Sequence, residues 1–293
     1  MLFRSNRVAF TNNELLSKGQ LVTIQGTEGL QRGYIVPIGG AEEKLKKPII
    51  LQKFAELCGG KNARLAIIPT ASKLKETGQN YIDIFRDIGV DHCVGLPIEE
   101  RADSEREDYL RELKEANGIF ITGGNQLRLS TIMGGTSVAQ MIRRRNADGV
   151  HFAGTSAGAA FVPEHMIAGG KNSPTPREGG VTFAPGLGLT NRIVVDQHFR
   201  QRDRLGRLLS AVAYNPFVSG IGIDENTAAF IDPDGMLEVI GTGSITVVDP
   251  SELSHSSMGS KSRGTPINLT NLRLHLLSAG AKYDINTRQV FLD

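Results

Sequence analysis

Short apolar runs alternate with amphipathic stretches from Gly33 onward. The apolar runs cover 33–40, 64–72, 93–98, 117–124, 149–158, 192–199 and 219–228. Helix-like segments lie between them, around 48–58, 77–88, 104–116, 136–147, 157–163 and 203–214. In the last of these, apolar residues recur at i, i+3, i+4 and i+7 from Leu205 to Val212, which is the spacing of a helix with one buried face. This alternation predicts an α/β fold with a parallel sheet covered by helices on both faces.

The pattern changes after residue 226. AAFIDPDGMLEVIG (228–241) predicts a hairpin that turns across Asp232–Gly235, and AKYDINTRQVFL (281–292) predicts another. We expect antiparallel strands that end the sheet rather than a second fold. Residues 1–30 are polar and weakly patterned, so they predict a weakly structured N-terminal segment before a single domain over 31–293. The Gly-, Pro-, Ser- and Thr-rich stretch 165–191 predicts a long connection of the functional or disordered kind.

Composition narrows the class of protein. Of 293 residues, 40% are hydrophobic, which excludes disorder of the whole chain. The net charge is only +2, so no global field attracts nucleic acid or a membrane, and we expect neither as a partner. There is no run of 18 apolar residues, no apolar stretch of a secretory signal near the start, and only two cysteines. These features favour a cytoplasmic protein.

Gly154-Thr155-Ser156-Ala157-Gly158 follows an apolar strand pattern and precedes a helix start. The spacing matches G-x-S-x-G, in which a sharp turn exposes a nucleophilic serine at the carboxyl edge of a sheet. The glycines are needed because a Cβ beside the serine would collide with the neighbouring strand or helix. The N–H of Ala157 would then face a developing oxyanion. The alternative is a tight turn whose serine only caps the helix.

A second glycine turn, in Ile121-Thr122-Gly123-Gly124-Asn125-Gln126, follows another apolar run. The backbone N–H of Gly124 or Asn125 is a candidate second oxyanion donor, and Gln126 is a candidate for orienting a substrate group. An ordinary strand-to-helix turn or a phosphate loop is the alternative. Since neither GxGxxG nor GxxxxGK[ST] occurs here, phosphate binding is the weaker interpretation.

A serine hydroxyl needs a neighbouring base to take its proton. His198 directly follows a buried-strand pattern, which predicts that it reaches the same carboxyl edge as Ser156, and His165 in the long connection is a weaker rival. The imidazole in turn needs a carboxylate. Adjacent strand residues face opposite ways, so only one of Asp224 and Glu225 points at the histidine, and the pattern does not choose between them.

Asp196 is a third candidate for that carboxylate, although its place two residues before the histidine favours bracing of the loop. The chain order of serine, histidine and then acid differs from that of common α/β-hydrolases, in which the acid precedes the histidine. The order therefore argues against that family despite the shared pentapeptide.

Four arginines lie within eight residues, 200–207, shortly after the histidine: Arg200, Arg202, Arg204 and Arg207. Like charges so close together need an anionic partner. Because arginine forks bind carboxylates with two parallel hydrogen bonds, we interpret the cluster as a clamp for the carboxylates of an acidic peptide. The alternative is a solvated helix start in which Asp203 pairs with Arg207.

Five motifs carry a resemblance to a known family: PIGGAE (37–42), FITGGNQLRL (120–129), GTSAGA (154–159), VDQHFRQRDRLGRLL (195–209) and GIDENTA (222–228). Together they resemble the cyanophycinases, serine peptidases of family S51 related to the α-aspartyl dipeptidases. The resemblance spans nearly all of the chain from Gly33 onward. It implies a three-layer α/β sandwich with a mostly parallel, class I glutaminase-like (flavodoxin-like) sheet, and a homodimer. It also implies hydrolysis of cyanophycin, a polyaspartate with arginine on each β-carboxyl, to β-Asp-Arg dipeptides.

The resemblance also assigns residues. It implies Ser156 as nucleophile, His198 as base and Glu225 as the third member. The positions matching the family's substrate pocket are Gln126, Gln197, Arg202, Arg204 and Arg207. We expect neither a metal nor an organic cofactor, because the sequence has no cluster of metal ligands and the serine carries the chemistry. The runner-up activity is an isoaspartyl or α-aspartyl dipeptidase, and a catalytically silent module for acidic peptides is the third alternative. A glutamine amidotransferase is disfavoured because neither cysteine lies in the elbow.

Overall fold

The computed structural model describes residues 31–292. Its helices are α1 (Ile49–Leu57), α2 (Thr77–Asp87), α3 (Glu107–Glu115), α4 (Gln126–Met133), α5 (Ser137–Ala147), α6 (Ala157–Phe161) and α7 (Leu205–Tyr214). Its strands are β1 (Ile35–Ile38), β2 (Arg64–Ile68), β3 (His92–Gly95), β4 (Gly118–Ile121), β5 (His151–Thr155), β6 (His165–Gly170), β7 (Val181–Pro185), β8 (Ile193–Gln197), β9 (Ser219–Ile223), β10 (Thr227–Ile231), β11 (Met236–Gly241), β12 (Ile245–Asp249), β13 (His255–Ser256), β14 (Leu269–Thr270), β15 (Arg273–Leu277), β16 (Lys282–Asp284) and β17 (Gln289–Phe291). The predicted N-terminal segment at 1–30 lies outside the described residues, and the boundary of the predicted domain stays a prediction.

The central sheet has nine strands in the order β17-β16-β11-β10-β1-β5-β4-β2-β3. The five strands from β1 to β3 in that order are parallel to one another. The other four, which come from the C-terminal part of the chain, are antiparallel. This arrangement confirms the predicted α/β class with antiparallel strands toward the C-terminus.

Helices cover both faces of this sheet. On one face, α1 and α2 bury a cluster of apolar side chains that includes Phe54, Phe85 and Phe120. On the other face, side chains of α3, α4, α5 and α6 pack against the parallel strands. Burying apolar surface on both faces explains why these strands read as nearly continuous apolar runs. The three-layer prediction is confirmed.

A second sheet of four strands, in the order β15-β12-β9-β8, packs beside the antiparallel half of the first. The sequence pattern had indicated that 192–199 and 219–228 belong to the one parallel sheet, and the structure corrects this. The strands β8 and β9 are parallel to each other, so their apolar runs resemble those of the parallel strands in the nine-stranded sheet. In β9 the glycines face a tightly packed layer: a Cβ at Gly220 would lie 2.8 Å from Val212 of α7, and one at Gly222 would lie 2.6 Å from Phe199.

Both predicted hairpins are confirmed. The first joins β10 to β11 around Gly235, whose φ of +92° suits the turn. The second joins β16 to β17. The long connection over 165–191 is itself largely a hairpin of β6 and β7. Sequence reasoning missed α4, a short helix whose start signal is Asn125: its side chain accepts hydrogen bonds from the N–H groups of Leu127 and Arg128.

Candidate active site

Ser156 sits at a sharp turn between β5 and α6, with φ 53° and ψ −107°. The flanking glycines have no room for a side chain. A Cβ at Gly154 would lie 2.5 Å from the carbonyl carbon of Gly158, and one at Gly158 would lie 2.5 Å from the carbonyl oxygen of Ile121. The backbone thus adopts a conformation that L-residues rarely populate, and the close packing of strand and helix holds it there.

His198 reaches this serine from the other sheet, because it follows β8. Its Nε2 lies 2.8 Å from the Oγ of Ser156. The histidine has φ 47°, and its N–H donates a 2.8 Å hydrogen bond to the carbonyl of Gly39 at the end of β1. The sequence predicted that these two residues lie close together. It did not predict that they follow strands of two different sheets rather than two strands of the same sheet. His165, the rival base, begins the exposed end of β6.

Glu225 is the acid beside the imidazole. Its Oε1 lies 2.6 Å from the Nδ1 of His198. Asp224 faces the opposite way and is almost fully buried, where it accepts hydrogen bonds from the N–H of Arg200 and from the N–H and hydroxyl of Ser244. The two acids, which follow the end of β9, therefore have different partners, and only Glu225 contacts the histidine.

The electrostatic surroundings keep the imidazole neutral. Burial lowers the pKa of His198 below its ordinary value, and the positive charges of Arg202 and Arg204 lower it further, while the hydrogen bond and charge of Glu225 oppose them. A neutral imidazole hydrogen-bonded to a carboxylate through Nδ1 leaves Nε2 as an acceptor for the serine proton. The arrangement suits a general base that works near neutral pH.

The loop that follows β1 holds the three segments together, and sequence reasoning gave it no part in the site. The N–H of Ser156 donates to the carbonyl of Ile38 at 2.9 Å. The N–H of Asn226, next to the acid, donates to the carbonyl of Gly40 at 2.9 Å. A Cβ at Gly40 would lie 2.4 Å from the Cε1 of His198. The two glycines of PIGGAE therefore form a backbone platform under the imidazole.

Strained backbone is concentrated here. Four non-glycine residues with positive φ belong to these contacting segments: Ala41, Ser156, His198 and Asn226. Such conformations cost about 1–3 kcal/mol each where the side chain disfavours them, and they persist when the surroundings fix them. This clustering of positive φ values indicates a functional site, and it could not be predicted from the sequence.

Glu42 is buried beside the nucleophile turn, with only 3% of its surface exposed. One carboxylate oxygen accepts a 2.6 Å hydrogen bond from the hydroxyl of Thr155, the residue before the serine. The other accepts a 2.5 Å hydrogen bond from Tyr81 of α2 and lies 3.4 Å from the ammonium of Lys44. Burial and the Glu42 charge raise the pKa of Tyr81 well above its ordinary value, so the phenol stays a donor. This carboxylate ties the loop after β1 to the serine turn.

The glycine loop after β4 lies against the serine as expected, with a Cβ at Gly123 placed 3.2 Å from the Cβ of Ser156. Within it, the N–H of Asn125 already donates to the carbonyl of Ala71 at 2.9 Å. That bond argues against Asn125 as an oxyanion donor and leaves Gly124 as the candidate in this loop. Ala157 begins α6, so its N–H has no acceptor within the helix.

Two of the clustered arginines are internal. Arg207 is 4% exposed and donates from Nε to Asp196 at 2.7 Å, with a second hydrogen bond from Nη2. Arg204 donates to Asp196 and to the backbone and side chain of Gln197, and its burial lowers its pKa to about 10. Arg207 pairs with Asp196, which braces the loop, and not with Asp203 as the alternative interpretation had it. Arg202 is exposed.

Gln126 links the glycine loop to the β6–β7 hairpin: its Nε2 donates to the carbonyls of Ile167 at 3.3 Å and Ala168 at 3.2 Å. Farther along β6, a Cβ at Gly170 would lie 2.6 Å from the Cδ of Arg207. The hairpin therefore borders both the glutamine and the buried arginine, which places part of the long connection 165–191 beside the candidate site.

Within residues 31–292, no three His, Cys, Asp or Glu side chains are grouped so as to hold a metal ion. No helix in that range is both long and apolar enough to cross a membrane.

Comparisons with known proteins place the chain in a family. A cyanophycinase of Synechococcus elongatus is 42% identical over 261 residues, covering 88% of this chain and 81% of the relative. A cyanophycinase of Trichormus variabilis is 44% identical over 258 residues, covering 87% of each chain. The crystal structure of a peptidase from an acI-B1 Actinobacterium superposes with a TM-score of 0.66 at 21% identity, covering 87% of this chain and 98% of that one, which supports the fold. The model of peptidase family S51 matches residues 35–239. The chain belongs to peptidase family S51, and it is a peptidase.

Proposed function

We propose that this protein is a cyanophycinase: a serine-type exopeptidase that releases β-Asp-Arg dipeptides from cyanophycin. The observation that carries the proposal is the chain of contacts Ser156–His198–Glu225, with distances of 2.8 and 2.6 Å. The substrate comes from the relatives, since proteins at 42–44% identity over most of the chain are cyanophycinases.

In the first step, the Nε2 of His198 removes the hydroxyl proton of Ser156 while the Oγ attacks a backbone carbonyl carbon between two aspartyl units. The carbonyl oxygen becomes an oxyanion. The N–H groups of Ala157 and Gly124 stabilise it, and losing one such donor typically costs about 100- to 1000-fold in rate. Glu225 holds the imidazole in the tautomer that accepts the proton and stabilises the imidazolium that results.

In the second step, the imidazolium of His198 gives its proton to the leaving amine, and the carbon–nitrogen bond breaks. An ester now joins the acyl group to the Oγ of Ser156. His198 then takes a proton from a water molecule whose oxygen attacks the ester carbonyl. Collapse of the second tetrahedral intermediate releases the carboxylic acid and returns the proton to the serine.

The polar residues around this centre supply recognition in the proposal. Gln126 is half-buried and Arg202 is exposed, so their amide and guanidinium are the groups available to a substrate. Gln197 is buried and accepts a hydrogen bond from Arg204, so its part in the proposal is to hold that arginine. Arg204 and Arg207 contribute through the positive charge that they retain beyond their shared partner Asp196. Two guanidinium groups on one carboxylate leave a net positive charge, which suits the free α-carboxylates of the arginyl units.

The test is incubation with purified cyanophycin and identification of the products by mass spectrometry. We expect β-Asp-Arg dipeptide as the main soluble product. An Asp-X dipeptide offered in parallel separates the runner-up activity: hydrolysis of the dipeptide with an intact polymer would assign the protein to the aspartyl dipeptidases instead.

Three properties of the molecule complete the proposal. They are a homodimer, a cytoplasmic location and one catalytic domain over 31–293. The resemblance supports them, and the composition also supports the location. Light scattering on the purified protein measures the oligomeric state, and cell fractionation determines the location. A chain lacking residues 1–30 tests the domain boundary, since it should retain the activity of the full chain.

A further inference from the structure

A second groove opens at the carboxyl edge of the nine-stranded sheet, next to the proposed oxyanion loop. It has a volume of about 340 Å³ and is bounded by the segment after β2, by residues 97–99 after β3 and by Arg128 of α4. Since β2 lies two strands away from β5 in the sheet, its carboxyl end lies about 10 Å from the serine turn. The hydrogen bond from the N–H of Asn125 to the carbonyl of Ala71 joins the two walls. The segment that bounds the groove is therefore bonded directly to the loop at the active site.

Three cations line this groove: Lys73, Lys75 and Arg128. Among the residues that the structure describes, none of them forms an ion pair. Cations that lack an internal partner are free to pair with an anionic ligand. Within the described part of the chain, Glu99 is the only carboxylate in the lining, so the groove has more positive than negative side chains.

The guanidinium of Arg128 is fixed in place before any ligand arrives. Its Nε donates to the carbonyl of Thr70 at 2.8 Å, and its Nη2 donates to the carbonyl of Glu99 at 3.2 Å. Both partners are neutral backbone groups, so the positive charge is not compensated. A guanidinium fixed in this way loses less side-chain entropy when it binds a carboxylate.

Two further features of the groove are a buried hydroxyl and an exposed leucine. Thr70 is 3% exposed, and its hydroxyl has no hydrogen-bond partner within residues 31–292. Leu74 is 64% exposed between the two lysines. A buried hydroxyl without a partner and an exposed leucine both cost free energy in water. A bound chain that covers Leu74 would remove the cost of the exposed leucine.

We propose that this groove is an accessory subsite for further units of a polymer whose scissile bond lies at Ser156. The ligand class is a peptide-like chain in which each unit carries one carboxylate and one guanidinium, and this identification depends on the proposed function. In a β-Asp-Arg unit, the α-amino group of arginine is consumed in the amide bond, so its α-carboxylate and guanidinium stay free. The cations match the carboxylates, and exposed Glu99 matches a guanidinium.

The test compares long and short substrates in a charge-reversed variant. Lys73→Glu/Lys75→Glu changes two exposed side chains, and a matched control, Lys61→Glu/Lys114→Glu, makes the same change at exposed positions near the amino ends of β2 and β4. We measure kcat/KM on cyanophycin and on a defined chain of two β-Asp-Arg units. In the Lys73→Glu/Lys75→Glu variant we expect kcat/KM to fall roughly tenfold on the polymer and to stay unchanged on the two-unit chain. The loss should shrink as salt rises, because exposed charges are screened.

Binding gives a second, independent measure. In a Ser156→Ala background, co-sedimentation with insoluble cyanophycin should weaken when both lysines are reversed and stay unchanged in the control pair. Equal losses on the two-unit chain and the polymer would place the lysines at the scissile bond and overturn the subsite. An unchanged polymer rate and unchanged sedimentation would also overturn it. If the wild type hydrolyses neither substrate, the proposed function fails, and sedimentation alone then decides whether the groove binds the polymer.

Discussion

Gly40 lies directly against the imidazole of His198: a Cβ at residue 40 would be 2.4 Å from Cε1 and 2.5 Å from Nε2. Its φ of +99° also favours glycine. Replacing Gly40 by Ala should push the ring away from the serine and lower kcat/KM on the order of 100-fold, since a 1 Å displacement has effects of that size.

Gly89 provides the matched control for that substitution. Its φ is +103°, but a Cβ there would have nothing within 4 Å. Gly89→Ala should cost about 1 kcal/mol of folding free energy while kcat/KM stays at the wild-type level. Equal losses of activity in the two variants would mean that backbone strain, rather than contact with the imidazole, explains the result.

The acid limb of the pH–activity profile reports the imidazole. Because burial lowers the pKa of His198, the base is neutral down to a lower pH than an ordinary histidine, and activity should persist there. As pH falls through that pKa the ring becomes protonated and activity is lost. Arg202→Glu removes one of the charges that lower the pKa, so the midpoint of this limb should move to higher pH. A midpoint that stays fixed or moves lower would contradict the assignment of the limb to His198.

Glu42 should act as a positioning residue for the serine turn through its bond to the hydroxyl of Thr155. Thr155→Val and Glu42→Gln should lower kcat roughly 10-fold or more with little change in KM, since the serine is displaced while the substrate pocket is kept. Thr155→Ser keeps the hydroxyl and should keep kcat.

Thr122→Val is the control for the removal of a hydroxyl. Thr122 is also buried near the end of a neighbouring strand, but its hydroxyl has no hydrogen-bond partner within the described residues. This variant should keep kcat near the wild-type value. If Thr155→Val and Thr122→Val had the same kinetics, the bond to Glu42 would have no role in catalysis.

The buried pair of Asp196 and Arg207 should matter for stability as well as for substrate. Arg207→Met leaves Asp196 with an incomplete set of donors, and breaking a buried pair in this way costs about 3–5 kcal/mol. Exposed Arg202→Met should cost less than about 0.5 kcal/mol. Denaturant unfolding of both variants measures the difference, and similar free energies of unfolding would show that Arg207 is not a structural member of the fold.

The sequence predicted those features that depend on neighbouring residues. The G-x-S-x-G turn is local, so its glycines and Ser156 were found with the correct strand and helix around them. His198 was recognisable because it follows a strand. The pattern also marked Asp224 and Glu225 after another strand, but only the family resemblance chose Glu225. The second sheet could not be recognised from the sequence, since β8 and β9 are parallel and buried on both faces like the strands of the main sheet.

The platform under the imidazole also escaped prediction. Gly40 contacts His198, and Glu42 contacts Thr155, across more than 100 residues of chain. A glycine or a glutamate in a loop has no periodicity that would reveal a distant partner. Likewise, the four clustered arginines predicted a clamp for substrate carboxylates, and only the fold reveals that Arg204 and Arg207 already pair with Asp196.

The role of Ser156 is tested most directly by covalent labelling with a fluorophosphonate followed by peptide mapping. The geometry predicts a single label on Ser156 that abolishes hydrolysis of cyanophycin, with no label and no hydrolysis in Ser156→Ala. Labelling should fall sharply in His198→Ala, because the hydroxyl then lacks its base. Hydrolysis of the polymer by Ser156→Ala at the wild-type rate would contradict the mechanism, whatever residue the reagent modifies.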